Sequence, residues 1–164
     1  MKVQRPMLKI ISGAQTGVDR AALDAALENK VLCGGWVPEG RKAEDGVIAA
    51  SYPVQVLAGA GYRQRTKKNV QDSDGTVIIY FGKLSGGTEQ TLRYCLGERK
   101  PYLLLDALEV MPERAAVRLR EFLSAIKGET LNFAGPRASS EQRAYGYTKK
   151  AVNKFLAMYK RINT

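Results

Sequence analysis

"TVIIYFGKLSGGTEQT", residues 76 to 91, joins an apolar run to two adjacent glycines and then to a segment of helical spacing. Thr76 to Phe81 is rich in β-branched and aromatic residues with no polar alternation, as expected of a strand covered on both faces. Gly86 and Gly87 allow positive φ or a close approach to a ligand, and Thr88 stands where it would cap a helix opening at Glu89. An ordinary tight turn would also use this Gly-Gly pair. The surrounding sequence has to decide between the two.

The same unit recurs along the chain. Apolar runs at 7–11 ("MLKII"), 31–36 ("VLCGGW"), 52–57 ("YPVQVL"), 76–81, 101–105 ("PYLLL") and 130–134 ("TLNFA") read as strands. Between them, 17–29, 88–97, 112–127 and 147–160 carry apolar residues at helical spacing. Thr16 with Asp19 three residues on resembles a capping box, and Pro112 suits a first helical turn. Strands alternating with helices predict right-handed crossovers. The expected fold class is therefore α/β, a Rossmann-like, doubly wound, mainly parallel sheet with helices on both faces. Without internal repeats or a linker, residues 1–164 read as a single domain with its core at about 7–160. Ile10, Ile11, Val77, Ile78, Leu103 and Leu104 are expected to be buried.

Composition narrows the chemistry. With 45% hydrophobic and 26% charged residues the chain falls among ordinary globular proteins, and no stretch is apolar enough for a membrane span. "MKVQRPMLKIISGAQTG" lacks a signal-type apolar region with a cleavage site, so a cytoplasmic location is expected. Cys33 and Cys95 sit in no CxxC pattern and read as buried thiols, with no protein-ligated metal. The chain has no histidine, which removes Ser-His and Cys-His catalysis and the commonest metal ligand. The net charge is +10, and 15 of the 26 Lys and Arg lie in residues 83–164. That balance suits an anionic partner: a phosphorylated small molecule, an oxyanion cofactor or nucleic acid.

In an open parallel sheet, ligands bind beyond the carboxyl ends of the strands. Five of the six loops expected there carry glycine: "SGAQTGVDR", "CGGWVPEGRKAEDG", "AGAGYRQRT", "FGKLSGGTE" and "AGPRASS". Basic residues accompany the glycines. Helix-start amides near Gly17 and Thr88 could hold an anion, with Arg63, Arg65 or Arg137 adding charge-assisted bonds. Asp19 and Glu89, in first helical turns, either face away as caps or contact hydroxyls, a base or a metal of the ligand. GAQTG lacks the third glycine of the dinucleotide fingerprint, and no Gly-Lys-Ser/Thr follows it, which argues against a nicotinamide enzyme or a P-loop ATPase.

"ISGAQTGVDRAALDAAL", "CGGWVPEGRKAEDG", "YRQRTKKNVQDSDGTVII", "LSGGTEQT" and "LNFAGPR", taken in this order, resemble the family known as "putative molybdenum carrier" proteins. That family is a branch of the circularly permuted YpsA-type, SLOG-like Rossmann proteins, and the similarity runs from about Met7 to the final helix. The resemblance implies self-association as a homo-oligomer and a pocket for molybdenum cofactor, as a carried ligand, or for a nucleotide-related anion. It points to Gly13, Gln15, Thr16, Gly17 and Asp19 in the first loop, and to Arg63, Arg65 and Asn69 in the third matching block. Gly86, Gly87 and Thr88 follow in the fourth, and Gly135 and Arg137 in the last.

A wider similarity, to the LOG phosphoribohydrolases, offers an enzymatic alternative in which Glu89 or Asp19 would be the acting carboxylate. Those enzymes use a stretch of the form PGGxGTxxE. Here SGGTEQT is one glycine spacing shorter, and Gln90 and Thr91 stand where the acidic residues would fall. Glu89 is displaced by one or two positions, a rotation of at least about 100° on a helix. A third reading, nucleic-acid binding, rests on the charge and on Lys149, Lys150, Lys154, Lys160 and Arg161, which could equally form a solvated helix face.

Overall fold

The structure, a computed structural model, describes residues 7–163. Its centre is a sheet of five short strands: β1 (Lys9–Ser12), β2 (Leu32–Gly34), β7 (Gly75–Tyr80), β8 (Tyr102–Asp106) and β9 (Thr130–Ala134). Between β2 and β7 lie β3 (Trp36–Val37), β4 (Lys42–Ala43), β5 (Gly46–Val47) and β6 (Gln55–Val56), which form two small sheets. The main sheet has the order β2-β1-β9-β7-β8, and every pairing in it is parallel. The last strand of the chain thus occupies the middle, and the chain runs outward from it in both directions.

Among the described residues five α-helices cover the sheet: α1 (Val18–Glu28), α2 (Tyr62–Gln71), α3 (Gly86–Gly97), α4 (Pro112–Ile126) and α5 (Ala144–Ile162). On one face α5 packs against both α1 and α4. There Ile10, Val77, Ile79, Leu131 and Phe133 meet Val18, Leu119, Val152, Phe155 and Leu156 in the main core. On the other face α2 and α3 cover Ile78 with Val70 and Cys95. Both faces are therefore apolar, which is why the strands read as continuous runs rather than alternating ones. One row departs from this. Ile11, Asn132 and Thr76 are aligned across β1, β9 and β7, and Asn132 Nδ2 donates to Thr76 Oγ1 at 3.2 Å. This buried polar pair lies on the α2/α3 face, at the middle of β9 and near the start of β7.

Several local expectations change. The run 31–36 breaks at Gly35, whose φ of +126° no other residue adopts readily, and where an added Cβ would lie 2.1 Å from the Ser12 carbonyl oxygen. Only Leu32–Gly34 joins the main sheet, while Trp36–Val37 pairs with Gln55–Val56, all that is strand in 52–57. Helix α1 is preceded by Gly17 rather than capped by Thr16, and α3 starts at Gly86 after Ser85, so Thr88 lies inside its first turn. Helix α5 begins at Ala144, a turn earlier than expected. Ile10, Ile11, Val77 and Ile78 are buried, but Leu103 and Leu104 only partly, because β8 is an edge strand. Cys33 and Cys95 are free thiols, Cys33 half-buried and Cys95 fully buried.

Candidate functional site

A cleft of about 650 Å³ opens over the carboxyl ends of β1, β9 and β7, where the strand order reverses. It brings together Gly13, Gln15 and Asp19 from the first loop; Arg63, Arg65 and Asn69 from α2; Gly86, Gly87 and Thr88 from α3; and Gly135 and Arg137 after β9. Thr16, Gly17 and Glu89 do not line it. Thr16 accepts a hydrogen bond from the Ala138 amide (3.0 Å) and its hydroxyl donates to Glu44, tying the first loop to the last and to the β4–β5 turn. Gly17 has φ +83°, and a Cβ there would lie 2.3 Å from the Pro136 carbonyl oxygen. Glu89 points outward and pairs with Arg93 at 3.1 Å, one helical turn on.

The two helix starts expected to hold an anion differ. At α1 the Val18 amide donates to the Pro136 carbonyl (3.3 Å), and the first-turn carboxylate of Asp19 is buried behind it. At α3 the first amide engaged in the helix is that of Glu89, which donates to Ser85 O, so those of Gly86, Gly87 and Thr88 are the orphan donors of a helix start. Ser85 gives them no side-chain cap, and a Cβ on either glycine would meet no protein atom within 4 Å. This end of α3 thus presents positive dipole and backbone N–H groups to the cleft. Arg63, Lys83 and Arg137 also line it, and none of the three forms an ion pair among the described residues.

The floor is differently built. Asp19 is 8% exposed and Arg65 6% exposed, and Arg65 Nη1 donates to Asp19 Oδ2 at 3.4 Å. The guanidinium runs across the backbone at Gly13, where a Cβ would fall 1.4 Å from Nη1. Burial raises the Asp19 pKa to about 6 from 3.8 against the pull of Arg65, and the same desolvation lowers that of Arg65. Asn69 is spent on the backbone: its Oδ1 accepts from the Trp36 amide (2.8 Å) and its Nδ2 donates to the Trp36 carbonyl (3.0 Å). It shapes the wall by holding β3.

Ala14, between Gly13 and Gln15, has φ +55°, and its carbonyl accepts from Arg20 Nε (3.0 Å) and Nη2 (2.9 Å). Arg20 is held in turn by Asp45 at 2.9 Å. This strained turn aims Gln15 at the cleft. Sequence reasoning missed Arg20, Tyr62, Lys83, Glu44 and Asn132. The ring of Tyr62 has the guanidiniums of Arg65 and Arg137 at 5.4 and 5.5 Å from its centroid, a cluster with no mark in local sequence. Asn132, a polar residue inside an apolar strand run, was the one legible signal.

Residues 10–156 match the circularly permutated YpsA SLOG family. No curated protein matches the chain. Among solved structures, the chain is similar to the crystal structure, at 1.45 Å resolution, of "putative molybdenum carrier protein" from Syntrophus aciditrophicus SB. The two are 42% identical with a TM-score of 0.89, over 92% of this chain and 96% of the other. With its central strand supplied last and its glycine loops gathered over one cleft, the chain belongs to the circularly permutated YpsA SLOG family.

Proposed function

We propose that the protein is a carrier that holds a small anionic ligand in this cleft, with molybdenum cofactor or a nucleotide-type molecule as the ligand class. The observation that carries the reading is the uncapped start of α3 facing a cleft ringed by Arg63, Lys83 and Arg137. Backbone amides and unpaired cations converging on one space stabilise phosphate or another oxyanion better than either does alone. The name of the similar crystal structure supports a molybdenum-containing ligand. The carrier would work in the cytoplasm, as a homo-oligomer. Among the described residues no helix is long and apolar enough to cross a membrane.

The phosphoribohydrolase alternative loses Glu89, which lies outside the cleft, and keeps only Asp19 of its two candidate carboxylates. Isothermal titration with molybdenum cofactor, molybdate and nucleoside monophosphates tests the proposal. Arg137→Ala should weaken the bound ligand by about 1.5–3 kcal/mol, the range for a hydrogen bond to a charged group. Gly87→Val should abolish binding in a folded protein. Saturable binding that neither substitution alters would place the site elsewhere, and free base released from nucleotides by wild type but not by Asp19→Asn would make the protein an enzyme.

A further inference from the structure

Two polar atoms at the cleft floor are unmatched. Gln15 is 5% exposed, and its Oε1 accepts from the backbone amides of Thr16 (3.0 Å) and Glu44 (2.9 Å). With Oε1 committed to two N–H donors, the carboxamide has one orientation, and its Nε2 must serve as a donor on the side away from them. Nε2 is buried and donates to nothing. An orphan of this kind lowers stability, and in native structures it calls for an explanation. Beside it, Asp19 Oδ2 accepts from the Gln15 amide and from Arg65 Nη1, both at 3.4 Å, whereas Oδ1 has no hydrogen bond to any described residue. Both residues line the cleft.

A bare oxyanion suits one of these atoms and not the other. It could accept from Gln15 Nε2, but the Asp19 carboxylate would repel it. A planar heterocycle with an acceptor and a donor side by side, such as a lactam or an amino-imine edge, satisfies both. Resting on the anion-carrier reading above, we infer that Gln15 and Asp19 read the polar edge of a ligand ring. Gln15 Nε2 donates to a ring carbonyl or imine nitrogen, and Asp19 Oδ1 accepts from the neighbouring ring N–H or amino group. The anionic end of the same molecule lies at the start of α3. The cleft is thus divided into a ring-reading floor and an anion-binding mouth, and the β4–β5 turn, through the Glu44 amide, sets the direction of the specificity-determining donor.

The test is a comparison of ring-bearing and ringless phosphates. Ribose 5-phosphate, guanosine and adenosine 5′-monophosphates and a phosphorylated pterin are titrated into wild type and into Gln15→Glu. That substitution keeps Oε1 and both of its amide bonds and replaces only the NH₂ group. At least one ring compound should bind wild type tenfold or more tighter than ribose 5-phosphate. Gln15→Glu should bring the ratio of ring-compound to ribose 5-phosphate affinity to about one, with circular dichroism and the urea midpoint as its folding control. An analogue of the preferred ring methylated on its donor nitrogen should bind wild type no better than ribose 5-phosphate, a measurement that needs no variant. If ribose 5-phosphate binds and no ring compound exceeds it, or if Gln15→Glu keeps the preference, the ring inference falls and the anion reading stands. Failure of every phosphate to bind would overturn both.

Discussion

The glycines of the candidate site are chemically identical and do opposite things. At Gly17 a Cβ would strike the Pro136 carbonyl at 2.3 Å from a left-handed backbone, and at Gly135 one would strike Val18 at 2.4 Å, so both serve loop packing. Gly87 has room on every side and lines the cleft. Gly17→Ala should therefore cost at least about 2 kcal/mol of stability in urea titrations. Gly87→Ala, at a compatible φ, should leave stability unchanged or raise it by up to about 1 kcal/mol. The sequence marks where glycines cluster. It does not show which one a distant loop presses on, because Gly17 and Pro136 are neighbours only after folding. Asp19 was legible as a first-turn carboxylate, but its partner Arg65, 46 residues on, was not. Its pKa of about 6 means the folded state binds its proton more tightly than the unfolded chain, where 3.8 applies. Ionisation thus weakens the fold as pH rises from about 4 to 6, by roughly 3 kcal/mol when integrated. Near pH 4 wild type carries a neutral carboxyl that Asn imitates, and Arg65 lacks a charged partner in both, so Asp19→Asn should match wild type in unfolding free energy there. By pH 7 the variant should exceed wild type by that order, and a difference that does not change with pH would show that Asp19 is not desolvated.

Elements with an apolar stripe were legible, and α2 was not. Its ten residues include Arg63, Arg65, Lys67 and Lys68, and the side it buries is formed by Arg65, Asn69 and Val70. A helix whose inward face is polar gives no hydrophobic periodicity. Such a face is tolerable because Asn69 is satisfied by the Trp36 backbone and Arg65 by Asp19 and the Tyr62 carbonyl. The segment from Trp36 to Val56 was also misjudged, as it has little regular structure and much of its backbone is gathered by one side chain, Arg41. Arg41 donates to the carbonyls of Ile48 (2.9 Å), Ala49 (2.7 Å), Tyr52 (3.2 Å) and Val54 (3.4 Å). Four backbone acceptors around one guanidinium make a local clasp that propensity cannot reveal. Arg41→Met should raise hydrogen exchange through residues 41–54 by tenfold or more and leave β1, β7 and β9 protected. Equal acceleration in the central strands would mean that this segment is part of the global unit.

For the whole molecule, the sequence pointed to the parallel, two-faced sheet, because continuous apolar strands and amphipathic helices are local signals. Strand order was out of reach, since nothing in "TLNFA" says that it will insert between β1 and β7. The net charge of +10 was equally plain but not its arrangement. Lys149 pairs with Glu28, and Lys150 and Lys154 with Glu113, so much of the C-terminal charge is neutralised on a helix face. The position of β9 has a stronger consequence. Residues 9–34 and 75–106 contribute strands that never pair with each other, and each pairs instead with β9. Neither half of the sheet closes until the last strand arrives, and α5, which follows it, then seals α1 and α4 over the same face. Folding should therefore be all-or-none despite the chain's outward-running topology. Trp36, the single tryptophan, reports on the small β3–β6 sheet, while far-ultraviolet circular dichroism reports on the helices at large. Their urea transitions should coincide, and a chain ending before Thr130 should show neither. A truncated chain that kept a cooperative transition would show that β1–β2 and β7–β8 can fold without the strand that joins them.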